Sequence, residues 1–148
     1  MPEIGELLHP RQVLFLPPDG DVIAELCRVV TRNAWQRQAL ETAVRQREEM
    51  ASTALECGVA VPHGHVPELK DFVLAVAVCP GGFDWTGQPQ GKSVRVVVLI
   101  GSPEGRQTGY LRLLSRVVKV CSRPEIRDGL CRCQNPDEIV ALLTTAAG

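Results

Sequence analysis

Two apolar runs constrain this chain more than any other feature. Phe72-Val73-Leu74-Ala75-Val76-Ala77-Val78 and the stretch 94–100 (Val-Arg-Val-Val-Val-Leu-Ile) are almost free of polar residues and rich in β-branched side chains. A strand that is apolar on both faces needs cover on both faces, so each run predicts a central strand of a sheet with helices packed on its faces. The first strand is expected over 71–79, broken by Pro80-Gly81-Gly82. The second is expected over 94–100, ended by Gly101-Ser102-Pro103. Two shorter strands, 13–16 stopped by Pro17-Pro18 and 57–61 stopped by Pro62, join them.

The remaining segments read as helices. Asp19-Gly20-Asp21 offers an N-cap, and Val22, Ile23, Leu26, Val29 and Val30 recur at helical spacing, which predicts a helix to about residue 33. A second is expected over 35–50, with Leu40, Ala43 and Val44 inward and a Gln- and Arg-rich face outward. Leu111, Leu114, Val117, Val118 and Cys121 stand three or four apart and predict an amphipathic helix over 110–122. Pro124 opens a short helix to about 130, and Asn135-Pro136-Asp137-Glu138 caps a last one through 143. The order is strand, two helices, three strands, then helices. It describes an α/β domain with one mixed sheet, and 148 residues make a single domain, 1–148.

Charge and cysteines narrow the function. A net charge of −1, from 16 basic and 17 acidic residues, gives no electrostatic case for nucleic acid or an anionic membrane as partner. No apolar run approaches the roughly 18 residues of a membrane span. Met1-Pro2-Glu3-Ile4-Gly5-Glu6 has neither the basic start nor the apolar core of an export signal, so a cytoplasmic location is expected. There the six cysteines would stay reduced, with Cys27, Cys79 and Cys121 as small core residues. Cys131-x-Cys133 has no second pair. Cys57, His63 and His65 match no compact ligand spacing, so no metal and no cofactor are expected.

One further stretch carries chemistry. Val59-Ala60-Val61-Pro62-His63-Gly64-His65 puts an imidazole just past a proline that stops a buried strand, where the chain is expected to turn. A neutral imidazole is a competent nucleophile toward phosphorus, and a phosphoryl group in flight needs fixed positive charge and donors around its oxygens. Arg47, at the end of the second helix, supplies a planar fork suited to that group. Ser52 and Thr53 offer hydroxyls, Gly58 and Gly64 allow close backbone approach, and Pro62 restricts entry into His63. On spacing alone the blander readings also stand: a solvated turn histidine, and an arginine on an exposed helix end. Trp85 reads equally as a partner-binding aromatic or a lid over the core.

Arg47-Glu48-Glu49-Met50-Ala51-Ser52-Thr53, followed by Ala60-Val61-Pro62-His63-Gly64, resembles the type-2 IIA domains of the bacterial phosphotransferase system: the mannitol, fructose and nitrogen-regulatory IIA proteins. Phe83-Asp84, Leu111-Arg112-Leu113-Leu114-Ser115 and Asn135-Pro136-Asp137-Glu138 fit the same pattern, so the resemblance runs through nearly the whole chain. It implies a three-layer α/β/α sandwich. It implies that His63 takes a phosphoryl group from the carrier protein HPr or its nitrogen-branch counterpart, with Arg47 holding that group. The group would then pass to a IIB domain, or its presence would set which regulatory target protein is bound.

Three departures from the family pattern stand out. Where many members have a second histidine, this chain has Tyr110, which can donate a hydrogen bond but carries no positive charge. The turn often written Gly-Ile-Gly-Asn-Gly reads Ala54-Leu55-Glu56-Cys57-Gly58. His65 follows two residues after His63; it is a further phosphate-binding candidate if the turn brings it round, and otherwise points to solvent or caps a loop. The motif looks most like the nitrogen-regulatory branch, and the chain reads as a free-standing domain. An intact site is expected to bring the Arg47 guanidinium within reach of the His63 ring, with the Tyr110 hydroxyl facing the same pocket. Arg47 turned away, with Glu56 filling the site, would argue against phosphotransfer.

Overall fold

The computed structural model describes residues 3–55, 57–85 and 93–148. The expectations that fall on Glu56 and on the 86–92 connection lie outside the described residues. The chain opens with a short helix α1 (Ile4–Leu7), a 3-10 turn (Pro10–Gln12) and strand β1 (Val13–Phe15). Helices α2 (Val22–Val30) and α3 (Ala34–Met50) follow, then strands β2 (Val59–Ala60), β3 (His63–His65), β4 (Val73–Phe83) and β5 (Val94–Ser102). Helices α4 (Gln107–Cys121), α5 (Pro124–Arg132) and α6 (Pro136–Ala147) end the chain.

The sheet runs β1-β4-β5-β2, with β3 also on β5. β4 and β5 are antiparallel, whereas β1 on β4, and β2 and β3 on β5, are parallel. The two apolar runs are thus the central strands, and alternation along each splits its side chains between two cores. Leu74, Val76, Val78, Val96, Val98 and Ile100 face one core, shared with residues of α1, α4, α5 and α6. Ala75, Ala77, Cys79, Val97 and Leu99 face the other, shared with α2 and α3. The protein is a three-layer α/β/α sandwich with a mixed sheet. The smaller residues lie on the α2 and α3 side, where they let those helices sit close.

Helix starts follow their caps. Asp21, Asn33 and Asn135 each accept a backbone N–H from the first turn of the helix they precede. Trp85 is half-buried against the α2 and α3 core, which favours the lid reading. Cys27, Cys79 and Cys121 are buried, all six thiols are free, and burial pushes those of Cys27 and Cys121 up to about 12. Among the described residues no helix is long and apolar enough to cross a membrane.

Three boundaries differ from expectation. Pro80-Gly81-Gly82 does not end β4: the ladder slips between Val78 and Phe83, the extra residues bulge out, and Phe83 pairs again with Val94. Gly101-Ser102 does not end β5, because Gly101 and Ser102 pair with Gly64 and His65. Nor does the chain turn after Pro62. A proline lacks only its N–H; the Pro62 carbonyl still accepts from Ile100 at 3.0 Å, and the chain resumes pairing as β3.

Candidate functional site

The site forms where cover along the sheet edge runs out. The segment after α3 folds back along the outer edge of β2: Leu55 N–H donates to the Val59 carbonyl at 2.7 Å, and Val61 N–H to the Thr53 carbonyl at 3.3 Å. This sets the Ser52-Thr53 turn beside the chain just before His63. In β3 the even-numbered backbone faces β5, since the Pro62 carbonyl accepts from Ile100 and Val66 N–H donates to the Ser102 carbonyl at 2.9 Å. By alternation, the backbone N–H groups of His63 and His65 face away from β5.

Side chains alternate as well. Val59 and Val61 lie in the core on the α4 side, and Ala60 lies in that of α3. His63 and His65 therefore project toward α4, and Gly64 toward α3. A Cβ on Gly64 would come within 3.0 Å of the Ala43 Cβ and 3.1 Å of the Val44 backbone nitrogen. Gly64 thus lets α3 lie directly on β3, and one helical turn beyond that contact come Arg47 and Glu48. Gly58, at φ 88°, makes the reversal that feeds β2; a Cβ there would sit 2.7 Å from the Ser93 carbonyl oxygen.

Arg47 is half-buried, and its Nη1 donates to the Ala51 carbonyl at 2.7 Å, closing the last turn of α3. Its charge also acts on His63 and Tyr110. Glu48 organises the turn. Its carboxylate accepts from the Thr53 hydroxyl and, at 3.2 Å, from the Thr53 N–H. The Thr53 hydroxyl hydrogen is therefore already committed, whereas Ser52 Oγ accepts the Ala54 N–H at 3.1 Å and keeps its own hydrogen to give. Sequence alone does not single out Glu48 as a site residue. The available signal was an acid at a helix end, a few residues ahead of a buried threonine.

His63 Nδ1 lies 3.0 Å from the Val61 carbonyl oxygen. A carbonyl only accepts, so Nδ1 carries the hydrogen and Nε2 keeps its lone pair. Burial pulls His63 below the ordinary histidine range. The charges of Arg47 and His65 pull the same way, against the Val61 hydrogen bond and Glu48. The ring is therefore neutral at pH 7.

Tyr110, from the first turns of α4, closes the other side. It is 5% exposed, and burial raises its hydroxyl above the ordinary tyrosine range, with Arg47 opposing. Its ring centroid lies 5.4 Å from His63 and 4.4 Å from His65, the latter edge-on at 78°. The two imidazoles are 6.5 Å apart. The solvent-facing reading of His65 is thereby corrected. A strand, unlike a turn, puts residues two apart on one face, so His65 packs half-buried against Tyr110. Among the described residues no three of His, Cys, Asp and Glu converge to hold a metal ion.

Residues 7–146 match the family model described as "Phosphoenolpyruvate-dependent sugar phosphotransferase system, EIIA 2". The chain is 33% identical over 112 residues to the "PTS system 2-O-alpha-mannosyl-D-glycerate-specific EIIABC component" of Escherichia coli K12, a match that covers 75% of this chain but only 17% of that protein. It is 28% identical over 106 residues to the "Nitrogen regulatory protein" of Bradyrhizobium diazoefficiens, covering 72% of this chain and 69% of that one. The crystal structure of nitrogen regulatory protein IIA-Ntr from Neisseria meningitidis superposes with a TM-score of 0.86 at 25% identity, covering 95% of this chain and 99% of that one.

Proposed function

The chain belongs to the EIIA type-2 family of the phosphoenolpyruvate-dependent sugar phosphotransferase system, and from that premise we propose that this IIA component is phosphorylated on His63 and acts mainly as a metabolic regulator. The observation that carries the reading is the Nδ1–H to Val61 hydrogen bond, which leaves Nε2 as the nucleophile beside the charge of Arg47. The donor is HPr or its nitrogen-branch counterpart, in the cytoplasm. Nε2 forms a bond to phosphorus as the N–P bond of the carrier's phosphohistidine breaks, and the electron pair of that bond returns to the carrier's imidazole.

The transferred group carries charge on three oxygens. Arg47, whose charge acts on His63, the Ser52 hydroxyl and the outward N–H groups of β3 are the donors proposed to meet it, with the Tyr110 hydroxyl as a further one. Arginine and backbone N–H groups can neutralise such a group, so the proposed transfer needs no metal. Met50, three residues after Arg47 at the end of α3, is 82% exposed and gives a partner protein an apolar side chain to bury. The regulatory output rests on the likeness to nitrogen-regulatory proteins, which this chain matches along most of their length.

The test is incubation with phosphoenolpyruvate, enzyme I and the carrier, followed by assay for acid-labile phosphate on the protein. Label is expected on the natural chain and on His65→Ala, and none on His63→Ala. An unlabelled natural chain with a cognate carrier overturns the phosphotransfer reading and leaves a binding module. Onward passage of label to a IIB domain and a sugar makes the protein a sugar relay instead of a regulator.

A further inference from the structure

A cavity of about 380 Å³ opens between the end of α2, the 3-10 turn and the 69–73 segment. Arg11, Arg32 and Lys70 line it, and among the described residues none of the three forms an ion pair. Two acids line it as well. Asp71 is already tied to Arg106 at 3.1 Å, which leaves Glu6 as the one acid without an ion pair facing three such cations. Like charges held around one concavity repel, and an anion seated among them relieves that repulsion while its charge meets planar arginine forks. Phe72 also lines the cavity, so the space combines cations with apolar surface.

We propose that this cavity is a second anion site, taking a small organic anion that carries two or more negative charges on carboxylate or phosphate groups. Inorganic ions would gain the charge contacts but not the apolar wall. The cavity is joined to the start of α4 in two places. The Phe72 ring lies against Gly109, where a Cβ would meet its Cζ at 2.9 Å, and Asp71 holds Arg106 at the helix entry. Gly109 precedes Tyr110, so occupancy is expected to be felt at the wall of the His63 site. Binding itself does not require phosphotransfer.

The full chain, labelled with nitrogen-15, is titrated at low salt with citrate, with glycerol 2-phosphate and with glycerol. Saturable amide shifts are expected at Arg11, Arg32, Lys70, Phe72 and Gly109 with at least one of the two anions, and none with glycerol. Citrate alone identifies a polycarboxylate site, glycerol 2-phosphate alone a phosphate-ester site, and both a general one. Arg32→Gln/Lys70→Gln, two exposed positions away from His63, is expected to weaken binding by roughly tenfold or more as two charge-assisted contacts are lost. His63→Ala is expected to bind unchanged, which separates this inference from the phosphotransfer reading. No saturable shifts with either anion, shifts centred on Arg47 and His63, or binding indifferent to the double substitution would each overturn it.

Discussion

The two walls of the His63 site are built in opposite ways. On the α3 side everything is polar and local: Arg47 closes its own helix on Ala51, Glu48 holds Thr53, and Ser52 holds Ala54. On the α4 side the wall is a single buried ring, Tyr110, set by packing among His63, His65 and the core. The first wall offers charge and donors; the second excludes water and fixes ring orientation. Substitutions on the first should therefore show in the rate of phosphorylation, and substitutions on the second in stability.

The sharpest way to break that division is at Tyr110. Tyr110→Ala removes a buried aromatic and is expected to cost about 3–5 kcal/mol in chemical denaturation. Tyr110→Phe keeps the ring and should lose less than about fivefold in phosphorylation rate, the worth of one neutral hydrogen bond. A large rate loss in Tyr110→Phe with unchanged stability would make Tyr110 part of the polar wall and erase the contrast.

Arg47→Gln should do the reverse. The side chain is half-buried and, among the described residues, bonded only to the end of its own helix, so stability should change little. Loss of the fixed charge is expected to slow phosphorylation by about 10²-fold, as removal of a preorganised donor does. Steady-state labelling with the carrier measures it; a rate within a few-fold of the natural chain would shift the anchoring role to another donor.

Gly64→Val tests the contact that joins the walls. Its side chain would meet Ala43 and the Val44 backbone, and backbone cannot yield as a flexible side-chain end can. Overpacking of this kind costs about 1–3 kcal/mol. Because α3 must move, phosphorylation should slow as well, in step with the loss of stability. A variant that is stable but inactive would place Gly64 in direct contact with the phosphoryl group.

Much of the polar wall was legible in the chain, because Arg47 to Thr53 is one helix end and one turn, and local order carries it. The central strands were legible for the same reason: their apolar runs are continuous. What was not legible depended on partners distant in sequence. Pro62 reads as a stop until Ile100 supplies an N–H for its carbonyl. His65 reads as a turn residue until β5 pairs with it and turns it toward Tyr110. Pro80-Gly81-Gly82 reads as an end because nothing local shows that Phe83 returns to Val94.

The smallest expected effect is in the titration of His63, where burial, Arg47 and His65 oppose the Val61 carbonyl and Glu48. Burial, Arg47 and His65 lower its affinity for protons in the folded chain, while the Val61 carbonyl and Glu48 raise it. The unfolded chain binds that proton at the ordinary value near 6.5, so between the two values the unfolded state holds more protons. This group's contribution to stability is therefore lost as pH falls from 6.5 through the lower value of the folded chain, and the neutral nucleophile persists below 6.5. Ring resonances followed by NMR should give a midpoint under 6.5. Glu48→Gln removes a charge that favours the imidazolium, so it should lower the midpoint further. A midpoint at or above 6.5 would mean that Glu48 and the Val61 carbonyl outweigh burial at the ring, and one that rises in Glu48→Gln would mean that Glu48 does not favour the imidazolium.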